Sequence, residues 1–370
     1  PTRSSTQPKR RYIITPKIVR IEGVKTPPKV PKPVASSLLG SDAASDEFDV
    51  ISRFRYRWEL GTALQFRRLW SYHQLLGIPT HSFSTGMNSP TNPSSQWQRL
   101  LKNAGTWEGS FTQISPQGHI CSDVRTEVEL TPTDEGKAMH QEVRHYPEHK
   151  SPQIQKLDYH SLNRATLIFE SGAFSQGSMQ WGPFSNFGAE LGLISQNRRL
   201  RLVQLYNPKE EKLTLTLIRE QLTGTKEPER PPLQLSDLLG KWQGECTVQY
   251  ADLSPESHGG SGEYTLEQIG PQSVQRIIHR GEGVPPFVHN GSVAERTISF
   301  TQGNGPTSKT ILLPDGAYCA YPAIFNPRQN FLFIELGWLL DSHTLQRMTR
   351  SYDATGAWSS LTLITERKVT

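Results

Sequence analysis

The chain repeats itself, and this limits its fold more than any other feature. Gly105-Thr106-Trp107-Glu108-Gly109 returns as Gly240-Lys241-Trp242-Gln243-Gly244, 135 residues on. Glu190-Leu191-Gly192 returns as Glu335-Leu336-Gly337, 145 residues on. Arg201 through Tyr206 resembles Arg347 through Tyr352, and Leu215-Thr216-Leu217-Ile218 returns as Leu361-Thr362-Leu363-Ile364, both 146 residues on. Four blocks in one order, with offsets drifting by 11, describe two copies of one domain. The copies span residues 96–224 and 233–370, with Thr225–Pro232 as the linker. Solenoid units run to about 20–50 residues, so a period this long means tandem domains.

Each copy opens on a short helix. Trp97, Leu100 and Leu101 share one face, and Gly105 suits the left-handed terminating position. In the second copy Ser236 is placed to cap Asp237–Leu239 ahead of Gly240. Strands follow. Thr126, Val128 and Leu130 alternate with Arg125, Glu127 and Glu129. Leu213, Leu215 and Leu217 alternate with threonines, as do Leu361 and Leu363 with Ser360 and Thr362. Period two means one buried and one wet face. Asp134-Glu135-Gly136, Asn207-Pro208, Pro314-Asp315-Gly316 and Asp353-Ala354-Thr355-Gly356 carry turn chemistry. Gly259-Gly260-Ser261-Gly262 lacks a phosphate-loop lysine and reads as a flexible connection. Many short antiparallel strands over roughly 130 residues imply a sandwich or a closed barrel. Closure into about eight to ten strands gives a barrel just wide enough for one small ligand.

Gly-x-Trp at the junction of a short helix and the first strand resembles the opening motif of lipocalins and the wider calycin group. The form Gly-x-Trp-x-Gly, at both Trp107 and Trp242, is similar to the small-ligand barrels of that group. The arrangement over 96–370 resembles a tandem calycin family of unknown function from photosynthetic bacteria and plastids. The resemblance implies a mainly β chain: two tandem antiparallel calycin/lipocalin-like β-barrels, preceded by a disordered arm and a short helical segment. It also implies that Trp107 and Trp242 close each barrel floor under a cation from a late strand, a role that Arg219 and Arg367 are placed to fill.

Residues 1–86 lie outside the resemblance. They hold 14 Lys/Arg and 6 Asp/Glu, a net of +8, against −3 for the remainder. The main body thus has no basic stripe, which disfavours nucleic-acid binding. Residues 1–45 read as a disordered basic, Pro-rich arm, and no apolar stretch of secretory-signal length follows its basic knot. Residues 46–86 read as a helical segment in which arginines surround Phe54, Trp58 and Trp70. Three readings stay open: a helix over 46–76 docking on an acidic partner or membrane surface, an accessory helix, or sequence that is not native coding, with Met87 as the true start. No apolar run reaches a membrane-spanning length. The three cysteines are scattered, which excludes a disulfide scaffold and fits the cytoplasm, or the plastid stroma of a eukaryote.

The search for chemistry returns no catalytic residue and no metal ligand set. His140, His145 and His149 have the wrong spacing for a helical metal pair and read as a wet strand and turn. His119 and Cys121 share a strand face, while Cys246 and Cys319 read as barrel wall. The pocket candidates are bulky or cationic residues in the middle of each copy: Trp181, Phe184, Arg201 and Tyr206 in the first, and Tyr318, Phe333, Trp338, Arg347 and Tyr352 in the second. They suggest an apolar cavity with an arginine reaching a ligand carboxylate. The richer aromatic content of copy two places any occupied cavity there. A tetrapyrrole, carotenoid or fatty acid would suit, the tetrapyrrole by analogy with barrel relatives that handle bilins. The alternatives are a chromophore lyase and a filled-barrel assembly protein. No cofactor identity follows from the residues.

Overall fold

The computed structural model describes residues 94–279, 284–302 and 305–369. The expectations for 1–45 and 46–86 lie outside the described residues.

Copy one begins with a one-turn helix α1 (Gln96–Leu100) and a 3-10 turn at Leu101–Asn103. Ser95 caps α1 by accepting from Gln98 N, and the Gln98 side chain accepts from Ser95 N in return. Gly105, at φ +127°, turns the chain into β1 (Gly105–Ile114). Eight strands follow: β2 (Ile120–Thr133), β3 (Ala138–Tyr146), β4 (Gln153–Tyr159), β5 (Thr166–Ile168), β6 (Phe174–Gly177), β7 (Phe187–Ser195), β8 (Arg198–Asn207) and β9 (Lys212–Leu222). All are antiparallel, in the order β4-β3-β2-β1-β9-β8-β7-β6-β5. Among the described residues β4 and β5 do not pair, so this sheet is curved but open. Helix α1 shields the β5 edge. Gln96 donates to Ile168 O and accepts from Ile168 N, and Arg99 donates to the same carbonyl. Bare edge groups would otherwise invite pairing with another chain.

Copy two follows the same plan. Helix α2 (Leu235–Leu238) leads into β10 (Gly240–Tyr250), β11 (Ser257–Gly270), β12 (Ser273–His279), β13 (Phe287–Ala294), β14 (Thr297–Gln302), β15 (Gly305–Leu312), β16 (Ala317–Pro322), β17 (Phe333–Asp341), β18 (Thr344–Tyr352) and β19 (Trp358–Val369). Here β10 pairs with β19 and the barrel closes. The repeat offset grows from 135 at β1/β10 to 145 at β7/β17, and those added residues supply one more strand than copy one has. The α2 cap differs from the sequence expectation: Gln234 holds the N-cap position, with Asp237 accepting from its N–H, so Ser236 lies inside the turn. Gly259–Gly262 is not a loose connection but part of β11, paired across Gly244↔Gly262 and Cys246↔Gly260. Ladder hydrogen bonds need no side chains, so glycines can hold a strand wherever the partner backbone is in place.

The second glycine of each Gly-x-Trp-x-Gly block has a steric reason. A Cβ at Gly109 would lie 1.8 Å from the Arg219 carbonyl oxygen, and one at Gly244 would lie 2.3 Å from that of Thr365. Only glycine permits this approach of first and last strands.

The largest apolar cluster is not inside either barrel. It joins outward residues of copy one (Leu191, Leu193, Leu200, Leu202, Leu215, Leu217) to outward residues of copy two (Ile334, Leu336, Trp338, Met348, Tyr352, Leu361). Strand β17 rests against β7 and β8. Each fully buried leucine or isoleucine contributes about 1.5–3 kcal/mol. Polar clasps border the seam. Arg198 pairs with Asp315 at 2.5 Å with both buried, and Arg350 donates to Ala165 O and Ser178 O while lying 3.5 Å over Trp358. Among the described residues no helix is long and apolar enough to cross a membrane.

Candidate functional site

The inner walls carry a duplicated ionic triad. In copy one, Arg201 on β8 reaches Glu190 on β7 at 2.6 Å and Glu220 on β9 at 2.7 and 3.0 Å. In copy two, Arg347 on β18 reaches Glu366 on β19 at 2.6 Å and Glu335 on β17 at 3.6 Å. Strand parity explains the match, because Leu202 and Met348 point into the seam and their neighbours must point inward. The repeated Glu-Leu-Gly blocks already contained Glu190 and Glu335. Glu220 and Glu366 follow the repeated Leu-Thr-Leu-Ile two residues later. Charge repeated at inward parity was the signal for the triads that sequence reading overlooked.

The triads are not equivalent. Arg199, one inward step before Arg201, also bonds Glu220 at 2.6 Å; its counterpart 146 residues on is the buried Leu345. Burial works to raise the Glu220 carboxyl, but Arg199 and Arg201 together hold it at about 2. Burial raises Glu366, and the single Arg347 only partly offsets that. His145 packs edge-on against Phe111 at 4.7 Å, and burial with the nearby Arg201 charge lowers it to about 4.

Copy two holds a small cavity that opens to solvent. Leu238, Leu266, Ile278, Ile298 and Phe300 give it apolar walls, and Tyr264, Tyr318, Thr310, Glu335, Arg276 and Arg347 add polar groups. Glu335 accepts from Tyr318 at 3.2 Å and Thr349 at 2.7 Å. Burial pushes the Tyr264 and Tyr318 phenols well up, so both stay neutral donors. Apolar walls with a few convergent donors and acceptors can bind and orient a small molecule.

Of the expected pocket residues, Tyr318 and Arg347 line the cavity, and Phe333 packs beside it in the same cluster. Arg201 faces the interior of copy one. The other five lie elsewhere. Trp338 and Tyr352 are fully buried in the seam, Trp181 packs against that seam, and Tyr206 stacks on Phe325 at 4.3 Å. Phe184 is 81% exposed. The error is one of parity: on β17 both faces are buried, so aromatic content alone cannot say which side of the wall a ring occupies. Arg276, Tyr264 and Phe300 line the cavity but were not named from the sequence.

Barrel closure also needs correction. Trp107 and Trp242 are buried and donate to the carbonyls of Asn103 and Leu238. The cation over Trp107 is Arg199 at 4.4 Å, and that over Trp242 is Lys368 at 5.3 Å. Arg219 and Arg367 are one residue out of phase with the inward face. Arg219 turns to Asp123 and Glu229, and Arg367 to Thr344. The histidines separate too: His140 pairs with Asp158 at 2.7 Å, and His149 sits in a turn at φ +58°. Cys246 and Cys319 are buried, and Cys121 is exposed.

Residues 93–225 match the N-terminal domain of DUF3598, a domain of unknown function. Residues 229–369 match the C-terminal domain of biogenesis factor required for ATP synthase 1. Among solved structures, a DUF3598-family protein of unknown function from Nostoc punctiforme is 36% identical at a TM-score of 0.68, covering 75% of this chain and 100% of that one. An S-type phycobiliprotein lyase from Guillardia theta is 10% identical at a TM-score of 0.29, covering 36% of this chain and 90% of that one. No curated protein matches the chain. With more than a third of its residues shared across the whole length of the Nostoc protein, the chain belongs to the DUF3598 family.

Proposed function

We propose that this is a small-molecule binding protein whose closed barrel takes an apolar ligand of the tetrapyrrole, carotenoid or fatty-acid kind. The observation that carries the reading is the solvent-open cavity in copy two, whose apolar walls from Leu266, Ile278, Ile298 and Phe300 surround the polar groups of Tyr264, Tyr318, Arg276 and Arg347. Three free cysteines are in keeping with work in the cytoplasm or a plastid stroma. The test is incubation with lipid and pigment extracts, followed by mass spectrometry of what remains bound. A retained molecule that Thr310→Trp excludes is the expected result. Equal retention by the filled variant, or none by either, refutes the reading.

A second reading, that the chain assists assembly of a larger complex, is favoured by the match of 229–369 to a domain of an ATP synthase biogenesis factor. In that case the barrels serve as rigid supports. Co-migration with ATP synthase subunits on native gels, unchanged by Thr310→Trp, would support the second reading over the first.

A further inference from the structure

We infer that the ligand of the closed barrel carries a single carboxylate, and that Arg276 is the residue that binds it. This rests on the cavity being a ligand site.

Three cations reach the interior of copy two. Arg347 is answered by Glu366 and Glu335. Lys368 lies at the floor, donating to Asp237 O at 3.2 Å. Arg276 differs. Its NH2 donates to the ring Nδ1 of His289 at 2.9 Å, and its guanidinium lies 4.2 Å over Phe300. Among the described residues no carboxylate comes within ion-pair distance of it. Its Nε–H is sealed from solvent and has no acceptor.

The guanidinium is therefore held in place, with the Glu335 charge in the same cavity acting on it from beyond ion-pair distance. Phe300 supports one face, and His289, 6% exposed, fixes one nitrogen. A histidine that accepts at Nδ1 from a cation must be neutral, and burial with the Arg276 charge lowers His289 to about 4. Arg276 is half-buried, and a cation on the cavity wall with no carboxylate bonded to it among the described residues is prepared for an anion. A carboxylate is the planar anion that matches a guanidinium. The rest of the cavity narrows the choice. Glu335 lines the same space, so a dianion such as a phosphate monoester would meet more like charge than a monoanion does. Leu266, Ile278 and Ile298 leave hydrocarbon walls for the remainder of the molecule.

The experiment compares dodecanoate with dodecanol as competitors of a neutral fluorescent dye, 1-aminoanthracene, at mildly alkaline pH. Charge-assisted hydrogen bonds predict that dodecanoate displaces the dye about tenfold to hundredfold more tightly than dodecanol. Arg276→Met should erase that ratio while leaving dodecanol unchanged, and Arg276→Lys should keep part of it. If Arg276→Met does not fold, the wild-type ratio and the lysine variant decide. Equal affinity for acid and alcohol overturns the carboxylate assignment but leaves the cavity reading standing. A preference that Arg276→Met leaves intact moves the site elsewhere and overturns the assignment as well. Failure of both probes to bind removes the cavity reading, and this inference with it.

Discussion

The duplicated triad provides an internal control, because the same substitution can be made in both copies. Glu220→Gln removes a carboxylate that holds two buried guanidiniums, Arg199 at 2.6 Å and Arg201 at 2.7 Å. Arg201 keeps Glu190, but Arg199, 2% exposed, loses its one ion-pair partner among the described residues. Breaking a buried pair from one side costs about 3–5 kcal/mol. Linkage gives a similar size. A carboxyl held at about 2 against an ordinary 4.5 stabilises the folded state by about 3 kcal/mol at neutral pH. Glu366→Gln should cost much less, about 1 kcal/mol or under. Arg347 retains Glu335, Leu345 replaces the second arginine, and burial already disfavours the charged form of Glu366. Urea unfolding followed by tryptophan fluorescence and circular dichroism measures both. The pH response separates them further. Because the Glu220 value is depressed, its stabilisation is present above about 4.5 and is lost as pH falls towards about 2, where wild type and Glu220→Gln converge. The Glu366 value is raised, so its ionisation opposes folding at neutral pH and acid relieves that cost. If Glu366→Gln costs as much as Glu220→Gln, or Glu220→Gln costs under about 1 kcal/mol, the two-against-one arginine argument is wrong.

Two further expectations concern the seam and the thiols. Trp338→Ala should cost about 3–5 kcal/mol, since the indole is fully buried, donates to Asp315 O at 2.9 Å and lies under Arg230 at 4.5 Å. Both copies should still unfold in one transition, and two separated transitions in wild-type protein would deny that the seam is a shared core. Thiol titration should find Cys121 reactive in native protein, with Cys246 and Cys319 reacting only on denaturation. Burial pushes the Cys319 thiol up to about 12, so native labelling of Cys319 would contradict its place in the wall.

The β architecture and the two-copy plan were legible because alternation and repetition are local patterns. Leu213–Leu217 shows period two, and the Gly-x-Trp-x-Gly blocks mark both first strands. The seam was not legible, for the same physical reason. Where β7 and β16 are buried on both faces, the apolar run is continuous and alternation disappears. Trp338 and Tyr352 were thus placed on the wrong side of their own wall. Arg276 escaped notice because its place on the cavity wall, beside His289 and over Phe300, is a property of the assembled barrel. Arg347, by contrast, was visible through the repeat, but the glutamates that occupy it come from β17 and β19.

The copies differ in ways that bear on the cavity in the second. Barrel width grows with strand number, and copy two closes with ten strands where copy one leaves nine in an open sheet. Copy one also sets paired bulk on its inner wall: Arg199 over Trp107, Arg201 over Phe111 at 5.5 Å, and His145 against the same ring. In copy two Leu345 stands where Arg199 would, so the floor cation comes from Lys368 on the last strand and the space above it stays open. Copy one thus sets paired arginines against aromatic rings on its inner wall and meets copy two along the seam, whereas copy two lines an open cavity with Arg276 and Arg347.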